Sequence, residues 1–224
     1  MREAVGNGDR EAAEEEREAQ ARAIDRLTLF SDAVVAIAIT LLALELPVPT
    51  GDTVAAFWSS VWEENRGHYA AFLISFLVIA AAWSNHHDLF RYARRGDSRL
   101  RNLNTAWLLT IVLIPFATKM LTSVVHSSLE VHALRFGFYA LLQVVQAGLL
   151  LAMVSRIGVR SRTGGASGRW GTRYVRRTVA VMAGFGLSIP LFFVTPQAWL
   201  LWFLVPLLAA PATGLFRSVA AARR

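Results

Sequence analysis

The sequence predicts an all-α integral membrane protein, a protomer of six transmembrane helices, and three observations carry that prediction. The chain has 224 residues, 54% of them hydrophobic, and those residues gather in long blocks rather than the short periodic patterns of a soluble domain. The blocks fall near residues 27–47, 68–90, 102–124, 132–155, 174–195 and 197–217, each long enough to supply the ~20 residues that cross a bilayer as a helix. None alternates polar with apolar residues at period two, as a strand of a membrane barrel would.

Taken in order, residues 1–23 are polar and rich in Glu and Ala. They have helix propensity without a continuous apolar face, so a mobile or solvent-exposed helical tail is expected before a transmembrane unit at 24–224. No cleaved leader is expected, because the N-terminus is charged and the first apolar block is long. The last two blocks are separated only by "VTPQA" at 194–198, which predicts a tight helical hairpin. The Gly-, Ser- and Arg-rich segment 158–171 reads as a flexible loop.

Charge placement sets the expected topology. Arg91, Arg94, Arg95, Arg99 and Arg101 lie between the second and third blocks. Arg156, Arg160, Arg162, Arg169, Arg173, Arg176 and Arg177 lie between the fourth and fifth, and Arg217, Arg223 and Arg224 close the chain. The other side holds little beyond Arg66, Lys119 and Arg135, set against Asp52, Glu63, Glu64 and Glu130. The positive-inside rule then puts both termini in the cytoplasm. The net charge is +7, and most of the positive charge is arginine between the hydrophobic blocks, which speaks for topology rather than nucleic-acid binding. The bias towards Arg and Ala over Lys suits a GC-rich bacterial genome, and a bacterial plasma membrane is the expected location. The chain has no cysteine, which excludes disulfides and thiolate metal sites.

Asp32 is the polar intrusion that the first block must accommodate. It lies about 9 Å along the helix from Arg26, and a carboxylate at that depth is paired or functional. Trp83, Asn85, His86 and His87 on the second helix, with Asn102 and Asn104 on the third, share its layer, and Arg26 is a further partner. The residues leave two readings open, a structural hydrogen-bond hub or direct ion handling. At 100° per residue, Ala33, Ile37, Thr40 and Leu44 form one stripe, and Asp32 lies about 140° from Ile37. The stripe therefore faces a different neighbour from Asp32: a core, lipid, or symmetry mates around a pore. Glu45, roughly 80° off the stripe, has two readings, concentrating cations at a pore mouth or solvating the helix end, and the second is the expectation.

Other polar residues point to no chemistry. Adjacent His86 and His87 diverge by about 100°, so a metal site with Asp88 is not expected. Lys119 can snorkel to the interface, and Gln143 and Gln146 are expected to bond between helices. No nucleophile–base pair stands at usable spacing, so an enzyme is not expected.

The run "RLTLFSDAVVAIAITLLALEL" at 26–46 carries an R-x-x-x-F-S-D motif, followed by "WSNHHDLF" at 83–90 and "NLNTAWLLTIVLIPFAT" at 102–118. These three stretches, in this order, resemble the endosomal and lysosomal potassium channel family and its bacterial members. The likeness covers the first three helices by motif and the last three only by hydropathy and length. It implies a homotetramer with a central pore lined by the first helix, without the carbonyl-lined filter of other potassium channels, whose T-V-G-Y-G sequence this chain also lacks. By position, Ile37 and Leu44 would form apolar pore rings and Thr40 a hydroxyl ring where K⁺ passes. Phe30, Ser31 and Asp32 would form a packing hub with Arg26, Trp83, His87 and Asn104. The sequence does not decide which histidine faces Asp32; His87 is the expectation.

The resulting expectation is a weakly selective, potassium-permeable leak channel. It would sit in the bilayer with copies of itself as partners, K⁺ as permeant ion, and no cofactor, nucleic acid or small-molecule substrate. The alternative is a secondary transporter or proton-coupled cation exchanger using Asp32 and His87. Against it, the helices show no convincing repeat or interrupted pair.

Overall fold

The computed structural model describes residues 2–93, 96–123, 128–158 and 166–209. The elements are α1 (Arg2–Leu44), α2 (Val54–Ser59), a π-helical turn (Ser60–Glu64), α3 (Arg66–Phe90), α4 (Ser98–Thr122), α5 (Leu129–Ile157), α6 (Ala166–Leu191), a 3-10 turn (Pro196–Leu200) and α7 (Leu201–Ala209). Among the described residues, four helices are long and apolar enough to cross a membrane: α1 from Arg10, α3, α4 and α5. The helix α6 has the length, at 26 residues, but carries Arg173, Arg176 and Arg177 in its first half.

Several boundaries differ from the sequence reading. The polar tail and the first apolar block are one unbroken helix of 43 residues, about 65 Å long. Ala- and Glu-rich sequence propagates a helix that the apolar block nucleates, so nothing stops it at residue 23. The expected loop at 158–171 is helical from Ala166, with residues 159–165 outside the described set. Gly158 ends α5 in the left-handed conformation at φ 73°, where a side chain would be strained. The sixth block is described only to Ala209.

Packing follows from where each helix keeps its polar atoms. The helices α1, α3 and α4 pack on one another, and α5, α6 and α7 continue in sequence from α4. Tyr139 of α5, Ser75 of α3 and Thr118 of α4 join through hydroxyl contacts of 3.0 and 2.7 Å. Thr118 also donates to the Ile114 carbonyl, so it accepts from Ser75, which in turn accepts from Tyr139. Such a chain satisfies three buried hydroxyls that lipid could not. Phe136, Phe185, Phe192 and Trp202 stack beside Tyr139, and the Trp202 indole donates to Ser188 at 2.9 Å. Close approach at this hairpin needs Gly184, where a Cβ would lie 2.6 Å from the Leu201 carbonyl oxygen. Asp97 caps α4 through the Leu100 N–H at 2.8 Å and pairs with Arg156 of α5.

Burial is uneven across the four apolar helices. Half of the most apolar stretch of α5 and 44% of that of α4 are buried, but only 22% for α1 and 17% for α3. The two poorly covered helices expose apolar surface that this single chain does not cover.

Candidate functional site: the exposed face of the first helix and its anchor

The helix α1 has two opposed edges. Ser31, Val35, Ala38 and Leu42 are buried at 0%, 3%, 0% and 1% exposure, spaced 4, 3 and 4 so that they share one side. About 160° around the helix, Ala33, Ile37, Thr40 and Leu44 are all exposed, Ile37 at 57% and Leu44 at 80%. Extending the line backwards brings in two more exposed residues, Phe30 and Arg26. The run Arg26, Phe30, Ala33, Ile37, Thr40, Leu44 alternates steps of 4 and 3, a seam with the 3.5-residue spacing that keeps one face of a helix toward a neighbouring helix.

Thr40 has a specific chemical arrangement on this face. Its hydroxyl donates to the Ile37 carbonyl at 2.8 Å. The proton is thereby turned back into the helix, which leaves the oxygen lone pairs free to face a cation on the open side.

Behind the face is a directional chain of hydrogen bonds. Ser31 donates to the Leu27 carbonyl at 2.8 Å and accepts from the Asn104 amide nitrogen at 2.9 Å. That orientation turns the Asn104 oxygen toward His86 Nε2, 2.6 Å away, so the neutral imidazole carries its proton on Nε2. The ring of His86 is held between Phe90 and Trp107, each stacked at a centroid distance of 4.2 Å. Ser31, His86 and Asn104 are all at 0% exposure, so three helices lock at one polar point. A second link stands beside it, the Trp83 indole donating to the Asp32 carboxylate at 2.8 Å.

The structure thus divides the residues that the motif reading grouped together. It brings together Ser31 with Asn104, and Asp32 with Trp83. His86, not His87, is the buried histidine; His87 is exposed, with its ring 5.8 Å from that of Trp83. One residue step turns a side chain by about 100°, which points His86 at α4 and His87 away from it. Arg26 and Phe30 lie on the exposed seam rather than in the hub. Asp32 is half-buried on the flank, and Ser31 occupies the position directly behind the seam. No side-chain bond to Gln143 or Gln146 was found among the described residues, and their amide nitrogens are buried without a partner.

At the Leu44 end, Glu45 and Lys119 of α4 form an ion pair at 2.8 Å. The pair lines a cleft of about 300 Å³ that also takes in Leu42, His68, Phe72 and Thr118. No group of three or more metal-ligating side chains occurs among the described residues.

Known proteins resemble this chain in sequence and in fold. Residues 26–115 match the sequence model of the family described as the endosomal/lysosomal potassium channel TMEM175. A potassium channel of Streptomyces collinus is 38% identical over 122 residues, which cover 54% of this chain and 58% of the relative. A potassium channel of Chamaesiphon minutus is 37% identical over 134 residues, covering 57% and 59%. The matched part therefore spans under two thirds of each relative's length. Among solved structures, that of a lysosomal potassium-selective channel TMEM175 homolog from Chamaesiphon minutus superposes with a TM-score of 0.68 at 25% identity. It covers 84% of this chain and 96% of that one. Over residues 26–115, which hold the apolar part of α1, α3 and most of α4, the chain is similar to the endosomal/lysosomal potassium channel TMEM175 family.

Proposed function

We propose that the chain is one protomer of a homotetrameric, potassium-permeable leak channel with weak selectivity. The observation that carries the reading is the uncovered seam of α1, apolar at Ile37 and Leu44 and hydroxylated at Thr40. Four copies of that face around an axis would form apolar rings at Ile37 and Leu44, which narrow a pore and gate by dewetting. A Thr40 ring between them would replace part of a K⁺ hydration shell. Few ligands of that kind favour K⁺ over Na⁺ only modestly, because K⁺ gives up water more easily. In this reading the protomer has six transmembrane helices, with α6 and the helix containing α7 as the last two, in a bacterial plasma membrane. Both termini are cytoplasmic, residues 1–23 project as a polar extension from the unit at 24–224, and neither cofactor nor catalysis is involved.

The deciding measurement is K⁺ flux through the reconstituted protein in liposomes without an imposed counter-gradient. Passive flux with a reversal potential that follows K⁺ is expected. Flux strictly coupled to protons would instead support an exchanger, and a crosslinking series that stops short of four subunits would remove the tetramer.

The Glu45–Lys119 pair gives a charge signature at the proposed mouth. Lys119→Met should raise K⁺ conductance roughly twofold at about 10 mM salt, where the Debye length is about 30 Å. Glu45→Gln should lower it comparably, the double variant should restore it, and all should converge near 1 M salt. Single-channel recording across that range is the check.

A further inference from the structure

The segment joining α1 to α3 carries an apolar face that neither the pore nor the hub uses. Val54, Phe57, Trp58, Val61 and Trp62 follow one another at steps of 3, 1, 3 and 1, the repeat of an amphipathic helix face. The helix α2 buries none of its residues. Val54, Phe57, Trp58 and Trp62 are 77%, 40%, 53% and 65% exposed. The opposite side of the same segment is fastened down. Ser60 is 3% exposed; its hydroxyl accepts from the Thr50 N–H at 3.3 Å and donates to Glu64 at 3.0 Å. The Asn65 amide donates to the Ser60 carbonyl at 2.9 Å. The Asn65 N–H also bonds to Ser60 across five residues at 3.1 Å, and that wider turn keeps Trp62 in line with Trp58. Thr53 caps the start by accepting from Ala56 N–H at 3.1 Å.

We infer that α2 and the π-helical turn form an in-plane anchor whose aromatic face lies in the interface of a zwitterionic lipid leaflet. Chain connectivity sets the depth: the segment spans the gap between Leu44, where α1 ends, and Arg66, where α3 begins. Both are spanning-length helices, so the segment sits at the membrane boundary, and the inference rests on their spanning the bilayer. The Tyr69 hydroxyl donates to the Pro47 carbonyl at 3.0 Å, which holds the loop against α3. Residue type points the same way, since Trp and Phe favour the level of the headgroups. Charge selects the lipid. Residues 48–65 contain no Lys or Arg but do contain Asp52, Glu63 and Glu64, which disfavours an anionic surface.

The natural absence of cysteine makes the test clean. Single variants Phe57→Cys, Trp58→Cys and Trp62→Cys, with Ala56→Cys and Glu63→Cys as the opposite face, are spin-labelled in phosphatidylcholine liposomes. The ratio of oxygen to nickel-chelate accessibility should be several-fold higher at positions 57, 58 and 62 than at 56 and 63. Nickel access equal at all five positions would place the segment in water and overturn the inference. Shielding of 57, 58 and 62 from both reagents would mean that a second copy covers the face, and would overturn it too. A second measurement needs no label: Trp58→Phe/Trp62→Phe should reduce the fraction of tryptophan emission quenched by lipids brominated near the headgroup. An unchanged fraction would contradict the anchor.

Discussion

Asparagine in place of Ile37 is expected to raise passive K⁺ flux through the reconstituted protein roughly tenfold while leaving the protein folded. A tenfold change corresponds to removing about 1.4 kcal/mol from the barrier, the scale on which a hydrophobic constriction loses its tendency to dewet. The fold should tolerate the change because Ile37 is 57% exposed. Val35→Asn is the matched control. Val35 is 3% exposed on the opposite edge of the same helix, so burying an amide there leaves polar atoms unsatisfied and costs about 1–3 kcal/mol. Flux and thermal unfolding measured on both variants separate the two edges. If Ile37→Asn destabilises the protein as Val35→Asn does and leaves flux unchanged, the seam packs against protein or lipid and lines no pore. Thr40→Ala extends the same measurement: it should lower K⁺ over Na⁺ discrimination without changing stability by more than about 0.5 kcal/mol.

The 3.5-residue spacing of Ala33, Ile37, Thr40 and Leu44 is legible in the sequence, because a helix converts spacing directly into angle. The membership of Arg26 and Phe30 in the same line follows from the same arithmetic. It is obscured when the motif is read as a unit, since residues adjacent in a motif point in different directions on a helix. His86 and His87 show the limit of this reasoning. Their 100° separation is certain, but which one turns inward depends on how α3 is rotated against α4, and Trp107 and Asn104 decide that through packing. The α2 segment was hidden for another reason. It is six residues long and lies between blocks long enough to dominate any hydropathy reading. The start of α6 was hidden by composition, because Gly, Ser and Arg favour loops locally, while tertiary packing of the following turns extends the helix.

The second large effect is expected at Asn104. Asn104→Ala should destabilise the protein by about 2–4 kcal/mol, combining the lost volume with two broken buried hydrogen bonds. Its amide is the only link between Ser31 and His86 among the described contacts. Without it, the His86 Nε2 proton has no acceptor and the Ser31 oxygen loses its donor. Single interhelical hydrogen bonds in membrane proteins average only about 0.6 kcal/mol, so a loss at the low end would mean that water enters and bridges the gap. A double-mutant cycle of Ser31→Ala with Asn104→Ala isolates the direct term, which should fall between about 0.5 and 1.7 kcal/mol. The histidines supply the internal contrast. His86→Ala should cost about as much as Asn104→Ala, because it empties the slot between Phe90 and Trp107. His87→Ala should stay within about 0.5 kcal/mol, as for an exposed side chain. Equal losses at His86 and His87 in thermal unfolding would show that α3 is rotated from the orientation described. The hub also sets the rotation of α1, because Ser31 is fixed on one edge and the seam stands about 160° away. Weakening Asn104 should therefore lower K⁺ discrimination as well as stability, a coupling that damage to an unrelated part of the core would not produce.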